Sequence, residues 1–103
     1  MKSVLNINRE NFEREVMESK QPVLLDFYAP RCGACRMVAA AMEEIGNDRE
    51  DIKVGKVDIE VQKELADRFG VLSVPALVVM KDGKIINRAI GARPKEDILS
   101  LVV

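Results

Sequence analysis

The 103-residue sequence contains no histidine and no tryptophan, and it has only two cysteines. Without histidine there is no Cys–His or Ser–His pair and no imidazole ligand for zinc. Acid–base chemistry near neutral pH therefore depends on a carboxylate, a lysine or a thiol whose pKa is shifted. The 16 basic and 17 acidic residues nearly balance, so the charge gives no reason to expect nucleic acid or an anionic membrane as a partner.

Long apolar segments are also missing from the sequence. No run approaches the roughly 18 residues of a membrane-spanning helix, and residues 1–6 lack the apolar stretch of a signal peptide. We therefore expect a cytoplasmic protein that does not associate with membranes. Apolar residues make up 48% of the chain, which is enough for the core of one domain over residues 1–103 without disulfide staples.

The two cysteines, Cys32 and Cys35, stand where an apolar run changes to a helical pattern. A thiol at a helix start faces unpaired backbone N–H groups and the positive end of the helix dipole, and both favour the thiolate. Cys32 is therefore expected to have a lowered pKa and to act as a nucleophile. Cys35 lies one turn further on, on the same side of the helix, where it can close or open a disulfide with Cys32. In a cytoplasmic protein this pair favours thiol–disulfide exchange over a structural staple.

Hydrophobic periodicity predicts strands that alternate with helices. The expected strands are residues 4–7, 23–28, 52–59, 76–80 and 85–90, and the expected helices are residues 8–20, 32–46, 61–69 and 94–102. We expect Asn8 to cap the first helix, Gly46 to end the second and Val61 to lie on the buried face of the third. Asp82-Gly83 predicts a tight hairpin turn. The order β-α-β-α-β-α-β-β-α indicates an α/β fold in which four helices flank a mixed five-stranded sheet.

Several short motifs resemble the thioredoxin family, in the family's order and across essentially the whole chain. They are Phe12, Asp26-Phe27-Tyr28-Ala29, Cys32-Gly33-Ala34-Cys35-Arg36, Lys56-Val57-Asp58, Val74-Pro75, Asp82-Gly83 and Gly91-Ala92. The resemblance implies a thioredoxin fold and a protein-disulfide reductase that needs no cofactor and no metal. The implied partners are proteins that contain disulfides and a thioredoxin reductase or its equivalent, and the implied state is a monomer.

The resemblance also implies roles for individual residues. Cys32 would attack a target disulfide, and Cys35 would resolve the mixed disulfide. Asp26 interrupts an apolar strand, so burial should raise its pKa; it would accept the proton of Cys35, with Lys56 as its partner. The bond before Pro75 would be cis. The residues that would bind substrate are mostly small or apolar: Gly33, Ala34, Ile59, Val74, Pro75, Gly91 and Ala92.

Other features leave alternatives open. Arg31 and Arg36 flank the cysteines and are either solvated charges or groups that favour thiolate and acidic partners. The family's CGPC motif has Ala34 here, and Tyr28 and Arg31 replace tryptophans. Since the residues between the cysteines tune the redox potential in this family, a specialised donor or oxidant for one partner is a second hypothesis. A non-catalytic binding subunit and a metal or iron–sulfur site shared by a dimer are further hypotheses.

Overall fold

The computed structural model describes residues 4–102. The sheet has five strands, which are β1 Leu5–Asn6, β2 Val23–Tyr28, β3 Lys53–Asp58, β4 Ala76–Lys81 and β5 Lys84–Ile90. The described residues also form a π-helical segment, Glu13–Met17, and three α-helices, α1 Gly33–Asp48, α2 Lys63–Arg68 and α3 Lys95–Ser100. The α/β class and the order of the elements are those predicted from the sequence.

The strands lie in the order β1-β3-β2-β4-β5. β3 runs parallel to both β1 and β2, whereas β4 runs antiparallel to β2 and to β5. Parallel neighbours require a crossover connection, and α1 supplies it between β2 and β3. The predicted hairpin turn joins β4 to β5, with φ values of 54° at Asp82 and 76° at Gly83. Because β2 is the middle strand, the loop that follows its carboxyl end starts at the centre of the sheet, at the end where the parallel strand β3 also finishes.

The side chains of β2 enter two separate cores on the two faces of the sheet. Leu25 and Phe27 pack in a cluster with Phe69 near α2, whereas Leu24 packs in a cluster with Val38 of α1. Alternation along a strand explains this division, since successive side chains point to opposite faces. The same alternation puts Asp26 on the face of Leu24, which α1 covers.

Two of the predicted helix boundaries are wrong. α1 continues through Gly46 to Asp48, and the N–H of Arg49 donates to the Ile45 carbonyl at its end. A glycine inside a helix costs only about 1 kcal/mol, and Asp48 in the last turn forms an ion pair with Lys95 of α3 at 2.9 Å. Val61 is 70% exposed, and α2 begins only at Lys63, because residues 58–62 form a turn after β3.

The amino-terminal elements are shorter than predicted. The strand expected at residues 4–7 is limited to Leu5–Asn6. The helix expected at residues 8–20 contains the five-residue π-helical segment, in which the N–H of Glu18 donates to the Glu13 carbonyl. The prediction that Asn8 caps this helix is wrong, because Phe12 is the N-cap and no side chain among the described residues caps the segment; Asn8 Oδ1 instead accepts from the N–H of Asn11 in the turn before it. Within residues 4–102 no helix is long and apolar enough to cross a membrane.

Candidate active site

The two cysteines form a disulfide at the amino end of α1, with Cα atoms 5.2 Å apart. Cys32 is the N-cap residue, and its extended backbone leaves Sγ positioned to accept from the N–H of Cys35 at 3.1 Å. The two sulfurs differ in access, since Cys35 is 4% exposed and Cys32 is half-buried. Of the pair, Cys32 is therefore the residue that a large reactant can reach.

One side of the dithiol is formed by the loop before β4. The Val74–Pro75 peptide bond is cis, as the resemblance implies. The carbonyl oxygen of Val74 lies 4.0 Å from Cys32 Sγ, and the carbonyl of Pro75 accepts from the N–H of Gly91 at 2.8 Å. These contacts bring residues from two separate loops to the same side of Cys32.

The other residues expected to bind substrate have different surroundings. Gly33 and Ala34 are exposed on the first turn of α1, and Ala92 is exposed after Gly91. Ile59 is half-buried; its N–H donates to the Tyr28 carbonyl, and its side chain packs against the core cluster that contains Phe27. Gly33 and Ala34 therefore follow Cys32 on the helix and Val74 lies against its sulfur, whereas the binding role expected of Ile59 and Ala92 stays a prediction.

A cavity of about 200 Å³ lies beside the dithiol. Its walls are formed by Asp26, Tyr28, Ala29, Pro30, Cys32, Cys35, Arg36, Ala39 and Lys56. None of Val74, Pro75 and Gly91 is among these residues. Cys32 therefore borders both the cis-proline loop and the cavity, and different residues line the two.

Asp26 is the most deeply buried titratable group of this cavity, at 2% exposure. Burial raises the pKa of its carboxyl group to about 7, and the positive charge of Lys56 works in the opposite direction. Oδ1 is buried and has no hydrogen-bond partner among the described residues. A carboxyl group with this pKa can exchange a proton at neutral pH, in the same cavity as Cys35.

Lys56 and Arg36 bring positive charge to the walls of the cavity. Lys56 is half-buried on β3 and Arg36 is exposed on α1. Tyr28 shares the cavity with Asp26, and burial together with the charges of Asp58 and Asp26 raises the pKa of its phenol, which therefore stays protonated at neutral pH. Arg31 is exposed and does not line the cavity.

Three residues of the cavity were not singled out from the sequence: Ala29, Pro30 and Ala39. Ala39 follows Cys35 by four positions, and residues at this spacing share one face of a helix, so helical periodicity could have identified it. Ala29 and Pro30 carry no such signal, since they belong to the turn that connects β2 to α1.

No group of three or more histidine, cysteine, aspartate or glutamate side chains within residues 4–102 is arranged to hold a metal ion. The two sulfurs are instead bonded to each other. The cavity and the dithiol therefore offer thiol chemistry next to a carboxyl group, with two cations nearby.

Comparison with known proteins agrees with this chemistry. A family model described as Thioredoxin matches residues 3–103. The chain is 37% identical over 101 residues to the thioredoxin of Bacillus subtilis (strain 168), an alignment that covers 97% of this chain and 95% of the relative. It is 44% identical over 96 residues to the thioredoxin of Listeria monocytogenes, with 92% and 91% covered. The solved structure of an N21Q mutant thioredoxin from Halobacterium salinarum NRC-1 matches with a TM-score of 0.89 at 28% identity, covering 97% of this chain and 88% of that one.

Proposed function

Because the chain belongs to the thioredoxin family and is a thiol–disulfide oxidoreductase that reduces protein disulfides, we propose how its residues divide this reaction among them. The observation that carries the proposal is the difference between the two sulfurs. Cys32 is half-buried at the helix cap, and Cys35 is 4% exposed behind it. The accessible sulfur acts first and the buried one second.

The reaction begins on the reduced protein with attack by the Cys32 thiolate. Its sulfur bonds to one sulfur of the target disulfide, and the other target sulfur leaves as a thiolate that takes up a proton. The Cys35 thiolate then attacks Cys32 Sγ, which forms the Cys32–Cys35 disulfide and releases the second target thiol. Two electrons pass from the dithiol to the target. The N–H of Cys35, which points at Cys32 Sγ from 3.1 Å, favours the thiolate of Cys32.

Asp26 is the proton acceptor for Cys35 in this scheme. Both residues line the same cavity, and the pKa of Asp26, about 7, allows the carboxylate form to be populated at neutral pH. Lys56 tunes this group, since its positive charge lowers the pKa that burial has raised. Proton transfer from Cys35 to this carboxylate supplies the thiolate that resolves the mixed disulfide on Cys32.

The target is bound on the side of the cis-proline loop. The backbone of Val74 pairs with an extended segment of the target, as in strand addition, and small residues such as Gly33 and Gly91 allow a close approach to Cys32. Arg31 and Arg36, both exposed, favour targets with acidic groups near the disulfide. The protein works as a cytoplasmic monomer of one domain and is reduced again by a thioredoxin reductase or its equivalent.

Two cysteine variants test the division of roles. With insulin as the target, Cys32→Ser should lose disulfide reduction down to the background rate. Cys35→Ser should instead accumulate a mixed disulfide between Cys32 and the target, detectable by mass spectrometry of the intact protein and reversed by added reductant. If Cys32→Ser reduces insulin as well as the wild type, or if the trapped adduct is found on Cys35 in the wild type, the assignment is wrong.

A further inference from the structure

The cavity beside the dithiol gives the sulfurs a second approach that the proposed reduction of proteins does not use. We propose that this cavity admits a small thiol carrying a carboxylate, which reduces the Cys32–Cys35 disulfide directly. The inference rests on the exchange chemistry proposed above, and it identifies a second class of reductant and the place where it acts. A protein reductase would remain the partner on the exposed side.

The position of the cavity separates the small reductant from the protein target. Cys32 and Cys35 are both cavity-lining residues, whereas Val74, whose carbonyl lies 4.0 Å from Cys32 Sγ, is not. A volume of about 200 Å³ is below the roughly 300–1,000 Å³ of sites that hold drug-sized ligands. It suits a molecule of a few non-hydrogen atoms and is too small for a segment of folded protein.

The charges on the walls select an anion. Among residues 4–102, the cavity is lined by two cationic residues, Lys56 and Arg36, and one acidic residue, Asp26. The carboxyl group of Asp26 is only partly ionised near neutral pH, and Tyr28 stays protonated, so the walls carry a net positive charge. The buried Oδ1 of Asp26 is also available to a hydrogen-bond donor, since it has no partner among the described residues.

The rest of the wall is apolar and fits a short hydrocarbon stem. Ala29, Pro30 and Ala39 contribute small aliphatic surfaces to the walls that also carry the cysteines and the cations. A ligand that matches these walls has a thiol at one end, one or a few methylene groups, and a carboxylate at the other. A neutral or cationic thiol of the same length lacks the attraction to the cations.

The chemistry balances with two molecules of the thiol. The thiolate of the first attacks Cys35 Sγ, which breaks the Cys32–Cys35 bond, forms a mixed disulfide on Cys35 and releases Cys32 as a thiolate. That leaving thiolate is stabilised by the N–H of Cys35. The thiolate of the second molecule attacks the small-molecule sulfur of the mixed disulfide and releases Cys35, which takes up a proton. Two electrons enter the protein, and the small thiol leaves as its disulfide.

The test compares three thiols of similar size on the oxidised protein. They are 3-mercaptopropionate, 2-mercaptoethanol and cysteamine, whose distal groups are anionic, neutral and cationic. The rate at which the protein loses its Cys32–Cys35 disulfide is measured for each thiol at equal thiolate concentration. Each rate is divided by the rate for the disulfide of an unstructured peptide with the sequence Cys-Gly-Ala-Cys, which corrects for the different intrinsic reactivity of the three thiols. We expect 3-mercaptopropionate to be favoured over cysteamine by about three- to tenfold. Equal normalised rates for the three thiols would overturn the inference.

Matched variants locate the effect in the cavity. Arg36→Gln should reduce the preference for the anionic thiol, whereas Arg31→Gln, at an exposed position outside the cavity, should keep it. Ala39→Leu should slow all three thiols by filling the cavity, and Ala40→Leu, next to it on α1 but outside the cavity, should not. If both members of each pair behave alike, the small thiol does not enter here.

The insulin assay keeps the two proposals distinguishable. If the three thiols show no charge preference but insulin reduction still depends on Cys32, the cavity site is rejected and the proposed division of roles stands. Insulin reduction that persists in Cys32→Ser rejects the proposed division of roles, whatever the small thiols do.

Discussion

Asp26 of β2 and Lys56 of β3 are direct partners in the parallel register of the two strands. Residues paired in this way present their side chains on the same face of the sheet, here the face that α1 covers. Burial raises the pKa of Asp26 to about 7 even with this cation as its neighbour. The pair therefore holds a carboxyl group that is neither fully ionised nor fully neutral at physiological pH.

Replacement of Asp26 by asparagine should stabilise the protein in a pH-dependent way. The folded pKa is raised from 3.8 to about 7, so between these values the folded chain binds a proton that the unfolded chain has released. The free energy of unfolding contributed by Asp26 therefore falls as the pH rises through this window. Asp26→Asn should gain at most about 4 kcal/mol at pH 8 and little at pH 3.5, measured by urea denaturation.

Asp67→Asn is the matched control for this experiment, because Asp67 is exposed on α2. It should change the free energy of unfolding by less than about 0.5 kcal/mol at either pH. A gain for Asp26→Asn that is equally large at pH 3.5 and pH 8 would show that packing, and not ionisation, is responsible.

Removal of the Lys56 charge should move the ionisation of Asp26 to higher pH. Lys56 lowers the pKa of Asp26, so Lys56→Met leaves the desolvation of the carboxyl group unopposed. The carboxyl carbon of Asp26, followed by NMR during a pH titration, should show a midpoint above that of the wild type. Lys81→Met, at the exposed end of β4, serves as the control and should leave the midpoint unchanged. A lower midpoint in Lys56→Met would contradict the assignment.

The ion pair between Glu15 and Lys53 should stabilise the contact of the π-helical segment with β3. Lys53 Nζ lies 3.0 Å from Glu15 Oε1 and donates to the Glu15 carbonyl at the same distance, with both side chains largely shielded from solvent. Lys53 lowers the pKa of Glu15, so its contribution is present above the unfolded pKa and is lost as the pH falls.

Glu15→Gln should accordingly cost about 0.5–1.5 kcal/mol at pH 7 and less at pH 3. Thermal denaturation at the two pH values measures the difference. Glu13→Gln, at an exposed position of the same segment, provides the comparison and should have a smaller effect. Equal losses for the two variants would mean that the ion pair adds nothing to stability.

A side chain at Gly55 should disturb the sheet. A Cβ atom at this position of β3 would lie 2.7 Å from Cγ1 of Ile7 and 3.3 Å from Cδ2 of Leu25, both in the core. Gly55→Ala should therefore cost about 1–3 kcal/mol, read from the midpoint of urea denaturation. At Gly33 a Cβ would meet nothing within 4 Å, so Gly33→Ala should not destabilise the fold. An unchanged midpoint for Gly55→Ala would mean that Ile7 moves aside without cost.

The ends of the helices show where local sequence patterns fail to predict the structure. Gly46 was expected to end α1, yet the helix continues to Asp48, since one glycine costs a helix only about 1 kcal/mol and Asp48 forms an ion pair with Lys95 of α3. Val61 was assigned to a buried face, yet it is 70% exposed in the turn that precedes α2. A contact with a distant part of the chain accompanies the longer helix at Gly46, whereas the turn at Val61 is local, since the N–H groups of Val61 and Gln62 both donate to the Asp58 carbonyl.

By itself, the sequence determined the order of strands and helices, the placement of the dithiol at a helix start and the burial of Asp26. These features depend on neighbours in the chain: the period of the apolar residues, the step from strand to helix, and a carboxylate flanked by Leu25 and Phe27. The family resemblance implied that Lys56 is the partner of Asp26 and that Val74 binds substrate near the dithiol. Only the tertiary structure supplied the strand pairing of Asp26 with Lys56, the 4.0 Å contact of Val74 with Cys32 and the cavity beside the two cysteines. Strand register and helix packing, which join residues far apart in the chain, fix those relationships.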